Sequence, residues 1–146
     1  MIYTDATQTP DHVVVTTQRK YFVVNVDACK EAHVYLTHIP GIPDNTAYQI
    51  SIGTSSNTKS SIRKTPPTEQ TVEFDTANIL PCSGSQAMWV KWDQGEIMVG
   101  LGSTVGQDIK FQWKDEQPYP INAFSFASKD DKAVNWTMLR DYGESY

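Results

Sequence analysis

The sequence predicts an all-β protein, a single domain over residues 1–146 folded as a two-sheet antiparallel β-sandwich of the jelly-roll kind. Three observations point that way. Short runs with apolar residues at alternate positions recur about every ten to fifteen residues, each bounded by Gly, Pro, Asn, Asp or Ser. No stretch carries the three-and-four spacing of an amphipathic helix. Residues 88–102, MWVKWDQGEIMVGLG, read as two alternating strands joined at Asp93-Gln94-Gly95, a β-hairpin from which neighbouring strands take their register.

In chain order the expected strands are 13–17, 21–26, 32–37, 48–53, 60–64 and 71–75, then the hairpin, 108–113, 121–127 and a last run over 134–139. Successive side chains of a strand face opposite ways, so one set points inward. That set is Phe22, Val24, Val26, Val34, Leu36, Ile50, Ile52, Val72, Phe74, Ile109, Phe111, Trp113, Phe124 and Phe126, with Met88, Val90 and Trp92 from the hairpin. A single sheet of this many strands would leave its apolar face in water, whereas two facing sheets about 10 Å apart cover each other. Pro40, Pro43, Pro66, Pro67, Pro81, Pro118 and Pro120 fall between the runs, where a residue without an N–H costs no ladder bond.

Twelve basic against seventeen acidic residues give a net charge of −5, which disfavours nucleic acid as a partner. The first ten residues lack the basic and apolar regions of a signal peptide, and no run is long enough to span a membrane, so membrane insertion is not expected. Cys29 and Cys82 have no CxxC pairing and leave three states open: one disulfide, two buried thiols or an intermolecular bridge. A metal would need His12, His33 or His38, and none has the close spacing of a ligand pair, so no metal and no cofactor is expected. Residues 100–106, GLGSTVG, resemble a phosphate loop only superficially, because an alternating strand follows instead of a helix whose N-terminus would face the anion. Asp130-Asp131 and Asp115-Glu116 read as solvated turns, and the serines at 51, 55, 56, 60 and 61 lack a nucleophile elbow. No catalytic residues are assigned. Asn135-Trp136-Thr137 satisfies the N-glycosylation sequon.

The outward set carries more chemistry: Tyr21, Asn25, His33, Tyr35, Thr37, Gln49, Ser51, Trp89, Lys91, Lys110, Gln112 and Lys114. Flat rings beside hydrogen-bonding groups suit a sugar, which presents an apolar face of C–H groups and a rim of hydroxyls. Two places qualify. A loop cluster offers Asn57, Arg63 and Asp115, with Trp89 or Tyr35 as the platform; an outer sheet face offers His33, Tyr35, Trp89 and Lys91. Trp89 is the favoured platform, as an exposed indole on the polar side of its strand. For Arg63 the first reading is structural, a bridge from its loop to backbone carbonyls or to Asp115, with the ligand-facing role as the alternative.

The segments FVVNVDA (22–28), AHVYL (32–36), YQISIG (48–53), Asn57, SSIR (60–63), MWVKW (88–92), GEIMVGLG (95–102) and FQWKD (111–115) together resemble the domain named after invertebrate farnesoic acid O-methyltransferase, over about residues 21–139. Thr54, where the family often has a second Gly, and Met88, where an aromatic often stands, depart from its pattern. The family name implies S-adenosylmethionine-dependent methyl transfer, yet the glycine loop between a parallel strand and a helix that usually holds that cofactor is missing. Stand-alone copies resemble marine-invertebrate lectins, among them a feather-star lectin for N-acetyllactosamine-type glycans. That resemblance implies a lectin-like sandwich, non-catalytic binding of galactose-type glycans on glycoproteins or glycolipids, secretion, a part in innate immunity and a homo-oligomer. The alternatives are a methyltransferase-related protein and a structural or oligomerisation module.

Overall fold

The computed structural model describes residues 2–4, 13–15, 20–29, 31–38, 46–66, 69–128 and 134–138. His12, Pro40, Pro43, Pro67 and Asp130-Asp131 lie outside the described residues, as does the side chain of Asn135. The strands are β1 (Ile2–Thr4), β2 (Val13–Val15), β3 (Tyr21–Asp27), β4 (Ala32–Thr37), β5 (Ala47–Gly53), β6 (Lys59–Lys64), β7 (Gln70–Asp75), β8 (Gln86–Asp93), β9 (Glu96–Leu101), β10 (Ile109–Lys114), β11 (Ala123–Ser128) and β12 (Val134–Met138). Two six-stranded antiparallel sheets result. The first, sheet A, runs β1-β12-β3-β8-β9-β10, and the second, sheet B, runs β2-β11-β4-β5-β6-β7. Among the described residues the only helical segment is a four-residue turn, Thr54–Asn57, and no helix is long and apolar enough to cross a membrane.

Between the sheets Phe22 stacks on Phe124 with ring centroids 4.4 Å apart, Phe126 stacks on Trp136 at 4.4 Å, and Trp92 closes on Phe124 at 6.0 Å. These side chains come from alternate positions of β3, β8, β11 and β12, so the expected inward parity is the one adopted. At roughly 25 cal/mol per Å² of apolar area, rings of this size dominate the stabilisation. The hairpin of β8 and β9 turns on Gln94 and Gly95, both at positive φ (49° and 87°), the primed turn whose twist matches paired strands.

Four core assignments change at the rim. Ile109 is 44% exposed, while Val72, Phe74 and Trp113 are half-buried. β7 and β10 each lie at one edge of their sheet, so their inward side chains have neighbours on one side only. Trp113 packs against the core without lying inside it. β1 is a strand absent from the expectation.

At the opposite end from the hairpin turn, Cys29 and Cys82 form a disulfide that selects one of the three open states. Beside it Gly53, Ser55, Ser56 and Asn57 all adopt positive φ, between 51° and 75°. Asn57 pays for this left-handed turn with a clamp: its Nδ2 donates to Leu80 O at 2.8 Å, and Leu80 N–H donates to its Oδ1 at 3.2 Å.

Candidate functional site

The outer face of sheet B carries the polar side chains in two rows set by register. Strand pairing lines up Ala127, His33, Ser51, Ser61 and Glu73 in one row, and Ser125, Tyr35, Gln49, Arg63 and Thr71 in the next. Neighbouring strands lie about 4.8 Å apart and the rows are two residues apart, so the central groups fall within the span of a sugar ring. His33, Ser51, Thr37 and Ser125 are all buried although their parity points away from the core, so this face is not an ordinary solvated surface.

Hydrogen bonds fix the groups in place. His33 Nδ1 lies 2.9 Å from Ser51 Oγ and 3.2 Å from Gln49 Nε2. An amide NH2 can only donate, so with the Gln49 amide as oriented Nδ1 accepts from it, while Nε2 lies 3.7 Å from Glu31 Oε1. Arg63 directs both Nε and Nη2 to Glu69 Oε2, at 3.1 and 2.7 Å. This corrects the expected bridge to Asp115. Arg63 and Glu69 stay about half-exposed, at 42% and 50% of their side chains, so a held guanidinium faces solvent with donors to spare.

The other candidates lie elsewhere. Trp89 is fully buried, and its indole Nε1–H donates to Gln107 O at 2.9 Å. The expected exposed platform is therefore overturned. Its ring lies on Gly100, directly across β9, where an added Cβ would come within 2.4 Å of the ring, and the turn after β9 supplies the carbonyl that covers it. Trp89 and Lys91 also belong to sheet A and His33 and Tyr35 to sheet B, so the single outer face that would have joined them does not exist. Lys91 is half-buried and pairs across the strands with Tyr21 and Met98. Asn57 is 8% exposed and spends both ends of its amide on Leu80, which removes it from a ligand surface.

Asp115 is interior as well. Its Oδ2 takes hydrogen bonds from Tyr48 Oη at 2.7 Å and Lys64 Nζ at 2.8 Å, and its Oδ1 accepts from Gln117 N–H at 2.9 Å. Lys64 Nζ also donates to Gln117 O at 2.6 Å and lies 4.6 Å from the Tyr119 ring centre. Burial alone would raise the Asp115 carboxyl; the bonds from Lys64, Tyr48 and Gln117 outweigh it and hold the group below the usual carboxylate range. Burial and the bond to Asp115 push the Tyr48 hydroxyl well above the usual phenol range. The sequence does carry a signal for Lys64, which shares the inward parity of Ile62 in β6. Among the described residues no group of three or more His, Cys, Asp or Glu could hold a metal ion.

The family described as farnesoic acid O-methyl transferase matches residues 2–141. "Uncharacterized protein 5" of Haliotis asinina is 29% identical over 112 residues, covering 77% of this chain and 64% of that protein's length. Among solved structures, the Caenorhabditis elegans galectin LEC-6 superposes with a TM-score of 0.60 at 11% identity, covering 94% of this chain and 96% of the galectin. The carbohydrate-binding module CBM66 from Bacillus subtilis gives 0.52 at 8% identity, over 94% and 84%. A β-1,3-1,4-glucanase from a mouse hindgut metagenome gives 0.53 at 11% identity, over 93% and 76%. At such identities these likenesses establish a shared jelly-roll sandwich.

Proposed function

The chain belongs to the farnesoic acid O-methyltransferase family, and within it we propose a non-catalytic lectin that takes galactose-ended, N-acetyllactosamine-type glycans on the outer face of sheet B. The observation that carries the reading is the pair of polar rows, with Arg63 held by Glu69 beside Gln49 and Tyr35. A guanidinium and an amide each bridge vicinal hydroxyls, and Tyr35 supplies an aromatic edge for the C–H face of the ring. Binders and hydrolases of carbohydrate share this sandwich, which supports a sugar as ligand and leaves the class of protein to the site.

Methyl transfer is the reading that the family name favours. Against it, the described residues contain no helix beyond the Thr54–Asn57 turn, so the strand-loop-helix cradle of the usual S-adenosylmethionine site is absent from them. The disulfide supports an oxidising compartment and hence secretion. A homo-oligomer would give weak single sites the avidity that recognition of cell-surface glycans in innate immunity needs. A glycan array tests the proposal: retention on galactose-ended glycans is expected, and a blank array together with calorimetric binding of S-adenosylmethionine would replace it with the enzymatic reading.

A further inference from the structure

We propose that the cleft beside β7 and the end of β10 is a second sugar site, sized for one monosaccharide, with Trp113 as its apolar wall. The cleft has a volume of about 230 Å³. That is below the roughly 300 Å³ at which pockets for larger organic ligands begin, and so suits one pyranose ring better than a chain of them. Trp113 is half-buried, set edge-on to Tyr48 with centroids 6.3 Å apart, and it lines the cleft. Around it stand Gln70, Glu116 and Gln117, all exposed, whose amides and carboxylate suit pairs of adjacent hydroxyls.

Charge and rigidity favour a neutral ligand bound without rearrangement. The buried Lys64–Asp115 pair forms the floor and cancels itself, while Lys114 and Glu116 balance at the rim. The bonds from Lys64 Nζ to Gln117 O and from Gln117 N–H to Asp115 pin residues 115–117, so the rim is ordered before a ligand arrives. This site is independent of the face carrying Arg63, and neither reading requires the other.

Tryptophan fluorescence isolates the cleft. Of the four tryptophans, Trp89, Trp92 and Trp136 are 0%, 4% and 0% exposed, so acrylamide quenching reports chiefly on Trp113. Methyl β-galactoside, methyl β-glucoside and N-acetylglucosamine are titrated against quenching of the wild-type protein. At least one is expected to protect the fluorescence with a saturating, millimolar dependence. Gln70→Ala and Glu116→Gln, both at exposed positions, should each weaken that protection about five-fold, the effect of one lost hydrogen-bonding partner, and Arg63→Ala should leave it unchanged. Absence of protection by all three sugars overturns the inference, as does protection lost in Arg63→Ala and kept in Gln70→Ala. Array binding without protection of Trp113 would sink this site alone; protection with a blank array would sink the sheet face alone.

Discussion

Lys64 and Asp115 face each other with side chains 2% and 5% exposed, and every polar atom of the pair is engaged. Removing one partner strands a buried charge, so Lys64→Met or Asp115→Leu alone should cost about 3–5 kcal/mol, read from the urea midpoint, while the double replacement should recover most of it. The pH dependence follows from the direction of each shift. Asp115 is held below its unfolded value of about 4, so its contribution is full above that pH and disappears as pH falls through the lower folded value. Tyr48 is raised, so its contribution is present below about pH 10 and is lost as pH rises beyond it. Asp115→Asn should flatten the acid limb of a urea-midpoint profile. At this scale Trp89 shows what alternation misses: parity gives the face of a strand, and says nothing of a turn that returns to cover it. The readable signal was Gly100 opposite Trp89 in the hairpin register, since glycine inside a strand marks close approach by another group. Trp89→Ala should accordingly cost about 3–5 kcal/mol in stability, and Gly100→Ala about 1–3, both measured by denaturation.

Elements are joined at one end of the sandwich by the left-handed turn, the Asn57 clamp and the disulfide. Asn57→Ala leaves a buried N–H and C=O of Leu80 unpaired, at about 1–3 kcal/mol for each, and places alanine at a φ of 64°. The disulfide spans 53 residues of chain, for which loop-closure entropy gives about 4 kcal/mol; thermal melts with and without reductant measure that loss. Most strands were legible because each carries its apolar residues at period two: the expected span 32–37 coincides with β4, and the others agree to within a few residues. The turn at Thr54–Asn57 was not, because Ser55 and Ser56 at positive φ are unusual and only the distant Leu80 holds the segment there.

At the scale of the molecule, the sandwich follows from the requirement that two apolar faces cover each other, and that much is written in the alternation. Which outward residues share a face is not, because it depends on the order of strands in each sheet: His33, Tyr35 and Arg63 meet on sheet B, while Trp89 and Lys91 belong to sheet A. On the proposed reading the rows around Arg63 bind a galactose-type glycan. Because the Arg63–Glu69 pair is exposed, Arg63→Ala should cost less than about 1 kcal/mol in stability, so a change in binding is not confounded with unfolding. The decisive measurement is calorimetric titration of N-acetyllactosamine into wild type and Arg63→Ala, with melting temperature and elution volume as controls. The expected result is binding weakened at least about tenfold in the variant, as for a lost charge-assisted hydrogen bond, with both controls unchanged. Equal affinity in the two proteins, or no heat in either, would contradict it.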